Sequence, residues 1–160
     1  VGVPLKDGFD RVPIGKAETL RSGEDIALLA IGPIVQNALE AATILQERGI
    51  SCEVVNMRFV KPLDASLLDD IASRFGDVIT IEDNVVTGGF GSAVGEYLAT
   101  GTHNVRLTIH GIPDEFIEHG SPAELSSDLG LDTSGIARLV ESVVGAARSH
   151  KNRHVGVAVK

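Results

Sequence analysis

The chain has 160 residues, of which 43% are hydrophobic and 22% charged, and it carries a net charge of −8. That length and balance favour one folded domain with its own core and exclude a disordered polymer. The acidic charge, the absence of Trp and the lack of a basic stripe argue against nucleic-acid binding, and no run of about 18 apolar residues is present to span a membrane.

Residues 1–14 read as an irregular lead-in, with prolines at 4 and 13. Val1–Asp7 has no apolar core of a signal peptide and no starting Met, so the chain reads as a fragment or a processed product, and as cytoplasmic. Lys16–Arg21 is expected as an edge strand, followed by a turn at Ser22-Gly23-Glu24. Asp25–Gly32 is a continuous apolar run with a glycine stop, the pattern of a strand covered on both faces. Ile34, Ala38, Ala41, Ala42 and Leu45 then repeat at helical spacing, and Gly49 ends that helix.

Ser51–Met57 is a second buried strand, and Pro62-Leu63-Asp64 opens a helix with Leu67, Leu68, Ile71 and Phe75 on one face. Asp77–Glu82 is a third strand, a helix is expected over Gly91–Leu98, and Asn104–His110 gives a fourth. Ser121-Pro122-Ala123-Glu124 has the Ser, Pro and Glu of a capped helix start. A last helix begins at Asp132 or Thr133 and buries Ile136, Leu139, Val140, Val143 and Val144. Strands alternating with helices imply right-handed crossovers. The expected fold is an α/β three-layer sandwich, a mostly parallel sheet of about five strands with helices on both faces. It occupies residues 1–147, and the basic residues 148–160 form a tail that is disordered or peripheral.

Several groups invite a chemical reading. The cluster Gly88-Gly89-Phe90-Gly91-Ser92 follows a strand and opens a helix, so its N–H groups are candidates for an anion or for a close-packed interface. It is a poor dinucleotide fingerprint, because the first buried strand ends in Gly32-Pro33 instead. Glu82 and Asp83 are adjacent on a strand and point to opposite faces; capping of the following turn suits them better than shared metal binding. The histidines at 103, 110, 119, 150 and 154 form no metal-ligand spacing, although His110 and His119 are placed to reach one crevice. The single cysteine, Cys52, excludes an intrachain disulfide and a CxxC zinc site, and its apolar neighbours mark a buried strand residue. No hydrolase elbow and no phosphate loop are present.

Three segments carry a resemblance: VNMRFVKPLD at Val55–Asp64, EDNVVTGGFGS at Glu82–Ser92, and GIPDEFIEHG at Gly111–Gly120, continued by DLGLD at Asp128–Asp132. Together, and with Pro13-Ile14-Gly15-Lys16, they resemble the C-terminal domain of the 1-deoxy-D-xylulose-5-phosphate synthase family, from about Pro4 to Val144. The first two segments fit the wider transketolase superfamily, and the third points to the synthase. The resemblance implies a parent enzyme that joins decarboxylated pyruvate to glyceraldehyde 3-phosphate for isoprenoid precursors, using thiamine diphosphate and magnesium. It implies that the cofactor-binding and catalytic residues lie in other domains, so no catalytic, cofactor or metal residue is assigned here. The partners implied are those other domains and a second copy in a homodimer. The chain has Glu118-His119-Gly120 where the family often has Pro-Gln-Gly, and no role is carried over to His119. Two other readings stand beside this one: a free-standing module holding phosphate or nucleotide at the glycine turn or at Gly32-Pro33, and the same domain of a transketolase or a 2-oxo acid dehydrogenase beta subunit.

Overall fold

The computed structural model describes Gly8 and residues 11–154. The chain forms β1 (Glu18–Arg21), β2 (Ile26–Ile31), α1 (Val35–Glu47), β3 (Cys52–Asn56), α2 (Ala65–Arg74), β4 (Asp77–Val85), α3 (Phe90–Thr100), β5 (Arg106–Ile112), α4 (Pro122–Asp128) and α5 (Thr133–His154). The five strands make one sheet in the order β1-β3-β2-β4-β5. Four are parallel, with Leu28 opposite Val54 on one side and Ile79 on the other, and Ile79 opposite Thr108. Only β1 runs antiparallel, pairing Glu18 with Asn56 at the sheet edge. The expected mostly parallel α/β sandwich is therefore what forms.

Two layers of side chains follow from the period of 2 in the buried strands. Ile26, Leu28, Cys52, Val54, Ile79 and Ile81 pack on one face against Ala38, Ala41, Leu45 of α1 and Ile136, Val140 of α5. Ala27, Leu29, Val55 and Val78 pack on the other against Leu68 and Ile71 of α2 and Phe90, Val94 and Leu98 of α3. Each fully buried Leu or Ile contributes about 1.5–3 kcal/mol of hydrophobic stabilisation before chain entropy is counted.

The helix ends follow local chemistry. Asp64 caps α2 by accepting from the Leu67 N–H, and also holds Lys16 Nζ at 3.0 Å and the Ala17 N–H at 3.1 Å, tying the entry strand to the helix. Ser121 and Glu124 form the reciprocal capping box expected for α4. Asp132 accepts from the Gly135 N–H at 2.7 Å to start α5.

One expectation is corrected. The last strand runs to Ile112, so His110 lies inside β5 rather than at its end. Within the basic tail, α5 continues helically through Arg148–His154, since after Gly145 no Gly or Pro interrupts the run Ala146 to His154 and helix propensity carries it on. Residues 155–160, and most of the irregular lead-in, lie outside the described residues.

Candidate functional site

The order of the strands sets where a site is expected. From β2 the chain crosses through α1 to β3 on one side, then returns through α2 to β4 on the other. The winding reverses between β2 and β4, and open α/β sheets place ligands outside the carboxyl ends of strands at such a point. The loops there are Gly32–Ile34, Met57–Asp64, Val86–Gly89 and Pro113–Ser121.

The glycine turn occupies the end of β4, and its N–H groups are already engaged within the chain. Glu82 is 1% exposed, and its carboxylate accepts the Phe90 N–H at 2.7 Å and the Gly91 N–H at 2.8 Å. The Gly88 N–H donates to Ser92 Oγ at 3.1 Å, and the Gly89 N–H to the Val86 carbonyl at 3.3 Å. Ser92 Oγ in turn donates to that same carbonyl at 2.6 Å. A carboxylate at a helix N-terminus neutralises the orphan donors and the positive end of the helix dipole. The chain thus supplies its own anion where an external one was considered. Asp83, next in sequence, is exposed on the other face.

The glycines serve close approach. A Cβ on Gly91 would sit 2.4 Å from Ile109 Cγ2 and 2.6 Å from Thr80 Oγ1, and one on Gly89 would sit 2.4 Å from the Val85 carbonyl oxygen. Gly88 adopts φ +72°, the left-handed conformation that favours glycine.

Beside this turn lies a cleft of about 470 Å³ lined by Pro33, Ile34, Asn37, Asp83, Ile112, Ile117, Pro122, Leu125, Ser126, Leu129 and Leu131. Its lining is apolar apart from a few groups, and Asp83 is its one charged residue. Asn37 is committed to the Leu131 carbonyl at 2.9 Å. Among the described residues, an anion at the Gly32-Pro33 helix start would therefore meet a carboxylate and no cation.

His103, His110 and His119 do not converge. His110 Nε2 lies 2.9 Å from the Gly130 carbonyl and fastens β5 to the α4–α5 turn. His119 lines a separate open depression with Glu118, Glu124 and Asp128, which does not include His110. His103 stacks on Tyr97 and lies 3.3 Å from Asp69 near the opposite end of the sheet. Cys52 is fully buried, and that burial pushes its thiol up to about 12, against a smaller lowering by Arg21, so it is no nucleophile at neutral pH. Among the described residues no group of three or more His, Cys, Asp or Glu side chains is placed to hold a metal ion, and no helix is long and apolar enough to cross a membrane.

Sequence reasoning did not anticipate the most exposed large hydrophobic side chain among the described residues. Phe116, in the loop after β5, is wholly exposed, and its neighbour Ile117 partly so. A large apolar residue among Asp114, Glu115 and Glu118 was the available signal, but it became informative only when no core contact was found for it.

The fold and these segments have known counterparts. Residues 15–136 match the family described as "Transketolase, C-terminal domain". The chain belongs to that family. The transketolase C-terminal domain described here is 51% identical over 142 residues to a 1-deoxy-D-xylulose-5-phosphate synthase of Desulforudis audaxviator, covering 88% of this chain and 22% of that protein. It is 48% identical over 146 residues to 1-deoxy-D-xylulose-5-phosphate synthase 1 of Geobacter sulfurreducens, covering 91% and 23%. The chain thus spans between a fifth and a quarter of the length of these relatives. A solved structure described as "Split gene transketolase, inactive beta4 tetramer" superposes with a TM-score of 0.78 at 34% identity, covering 85% of this chain and 44% of that one. The transketolase of Campylobacter jejuni superposes at 0.58 with 26% identity, covering 80% and 18%. The expected resemblance to the synthase C-terminal domain is upheld by these relatives, and the expected fold by these structures.

Proposed function

We propose that this chain is the C-terminal domain of a 1-deoxy-D-xylulose-5-phosphate synthase, a cytoplasmic homodimer in which it supplies packing surface while other domains perform the chemistry. The whole enzyme condenses pyruvate with glyceraldehyde 3-phosphate, releasing CO2, in isoprenoid-precursor synthesis. The observation that carries this reading is the 51% identity to a synthase of which the chain matches only 22%. Identity to the solved transketolases is lower, at 34% and 26%, which favours the synthase over its sister enzymes.

In this reading the domain comprises residues 1–147, and the basic residues 148–160 are a peripheral tail, of which 148–154 continue α5. Thiamine diphosphate and magnesium belong to the parent. The described residues of this domain do not fit that group. They offer no cluster of three potential metal ligands, and the N–H donors at the start of α3 are taken by Glu82. No step is therefore derived through the cofactor. What the domain's own residues do is structural: Glu82 closes the helix start, Gly89 and Gly91 bring α3 against the sheet, and the 88–92 turn presents a compact face for packing.

Calorimetric titration tests this. Thiamine diphosphate with magnesium added to the isolated chain is expected to release no binding heat. The same addition to the D. audaxviator synthase carrying this chain in place of its matching residues is expected to give binding and CO2 release from pyruvate in the presence of glyceraldehyde 3-phosphate. Tight binding by the isolated chain, or a soluble chimera without that activity, overturns the reading.

A further inference from the structure

We infer that the carboxyl edge of the parallel sheet is the docking face of this domain, and that its occupant is the portion of the parent enzyme that precedes the domain in the chain. This rests on the reading of the chain as one domain of a larger synthase.

The distribution of exposed apolar side chains carries the inference. Single exposed hydrophobic residues are ordinary on a protein surface, whereas a one-sided set marks an interaction face. Val12 is 50% exposed, Ile14 77%, Val60 39%, Phe116 107% and Ile117 37%. All five lie at one edge. Val60 follows β3, and Phe116 and Ile117 follow β5, both parallel strands. Val12 and Ile14 precede the antiparallel β1, whose first residue, Glu18, pairs with Asn56 at the end of β3. Among the described residues the other two large exposed apolar side chains, Leu20 and Ile109, sit within the outer strands β1 and β5. At the opposite edge the turns Ser22–Glu24, Arg48–Gly49, Phe75–Gly76 and Thr102–Asn104 expose no large apolar side chain, Phe75 being buried.

Connectivity selects the occupant. Lys16 is fastened to Asp64, and a Cβ on Gly15 would lie 2.6 Å from Pro62. The chain therefore enters the domain at this same edge, and whatever precedes Arg11 is tethered there. A tethered partner sees a high effective concentration of this face, so modest apolar contacts suffice to hold it. The apolar cleft lined by Ile112, Ile117 and Leu125 opens beside the same loop. A large aromatic residue such as Phe116 buries about 150–250 Å² when covered and is the kind of anchor that dominates such contacts.

Thiol accessibility suits the test because this chain's one native thiol, Cys52, is buried. Phe116→Cys and Ile14→Cys are made singly, with Glu47→Cys as a control on the exposed polar edge. Each is placed both in the isolated chain and in the D. audaxviator synthase carrying this chain in place of the matching 142 residues. Maleimide labelling is followed peptide by peptide by mass spectrometry. The expected result is labelling about tenfold slower or more at positions 116 and 14 in the chimera than in the isolated chain, and an unchanged rate at 47, since reaction needs an accessible thiolate. Equal rates at 116 and 14 in both contexts overturn the inference. Slowing already present in the isolated chain at high but not low protein concentration overturns it in favour of a second copy. An active chimera with unprotected thiols defeats the docking face alone, and an inactive chimera with protected thiols defeats the synthase reading alone. Should the chimera be insoluble, the same labelling is read on the chain mixed with the synthase lacking those 142 residues, where absence of protection overturns the docking face.

Discussion

The Glu82 carboxylate accepts the Gly91 N–H at 2.8 Å and, with its other oxygen, the Phe90 N–H at 2.7 Å, so the end of β4 closes the start of α3 from below. The group is 1% exposed, and among the described residues its charge is matched by backbone donors and the helix dipole. Glu82→Ala leaves two buried N–H groups without partners, and a loss of about 3 kcal/mol in urea-unfolding free energy is expected. Glu82→Gln keeps one acceptor oxygen and turns an amide N–H₂ toward the second donor, so it is expected to lose roughly half as much. Equal stability of wild type and Glu82→Ala would remove the cap from the account.

Thr80 lies on the same strand face, beneath Gly91, and its buried Oγ1 has no hydrogen-bond partner among the described residues. Thr80→Val keeps the shape and removes an unpaired hydroxyl. A gain of up to about 1 kcal/mol is expected by thermal or urea unfolding, the opposite sign from Glu82→Ala two residues away.

Gly91 and Gly95 share one side of α3 but not one environment. A Cβ at 91 meets Ile109 Cγ2 at 2.4 Å, whereas one at 95 meets only Leu107 Cδ2, at 3.4 Å. Gly91→Ala is expected to cost about 1–3 kcal/mol through overpacking. Gly95→Ala is expected to be neutral or to stabilise by up to about 1 kcal/mol, since alanine is the better helix former. Chemical denaturation of the two variants side by side separates them.

Asp64 makes stability depend on acid. Burial pushes its carboxyl up, but hydrogen bonds from Lys16, Ser66 and the Ala17 and Leu67 N–H groups outweigh that and hold it below the usual range. A carboxyl depressed in the folded state contributes stability that is present above its unfolded value, near 4, and is lost as pH falls through the folded value. Unfolding free energy measured from about pH 5 downward is expected to fall, and Asp64→Asn is expected to flatten that part of the curve while lowering stability at pH 7.

Arg74 reaches Glu53 with two guanidinium nitrogens, at 2.8 and 2.6 Å, and Asp70 at 2.9 Å. Glu53 is 3% exposed, while Arg74 is partly in solvent. Arg74→Ala strands a buried carboxylate, and a loss of about 1–3 kcal/mol is expected, moderated by solvent that reaches the vacated side. Replacing both, as Arg74→Met with Glu53→Leu, is expected to recover most of that loss in a double-mutant cycle.

Much of the fold was legible because its signals are local. The continuous apolar run Ile26–Ile31, the helical spacing of Ala38, Ala41 and Leu45, and the capping pattern Ser121–Glu124 each need only a few neighbouring residues to be read, and each forms as expected. The end of β5 was misplaced by two residues because His110 and Gly111 resemble a stop. Parallel pairing of β5 with β4 carries the strand past them to Ile112, which lies opposite Val85. The helical continuation through Arg148–His154 is not legible in the sequence, because a charged run has no apolar period to mark a helix.

The sequence by itself determined the alternation of strands and helices, the two-sided burial of the central strands and the family, because periodicity, capping residues and matched segments are properties of short stretches. The tertiary structure alone decided the fate of the glycine turn, since an open anion nest and a helix start sealed by Glu82 share the same residues and differ only in where a carboxylate eight positions upstream points. It alone decided, too, that Val12, Ile14, Val60, Phe116 and Ile117 face outward from one edge. Those residues lie up to about a hundred positions apart, and only the parallel ordering of β3, β4 and β5 with an antiparallel β1 brings their loops to the same side.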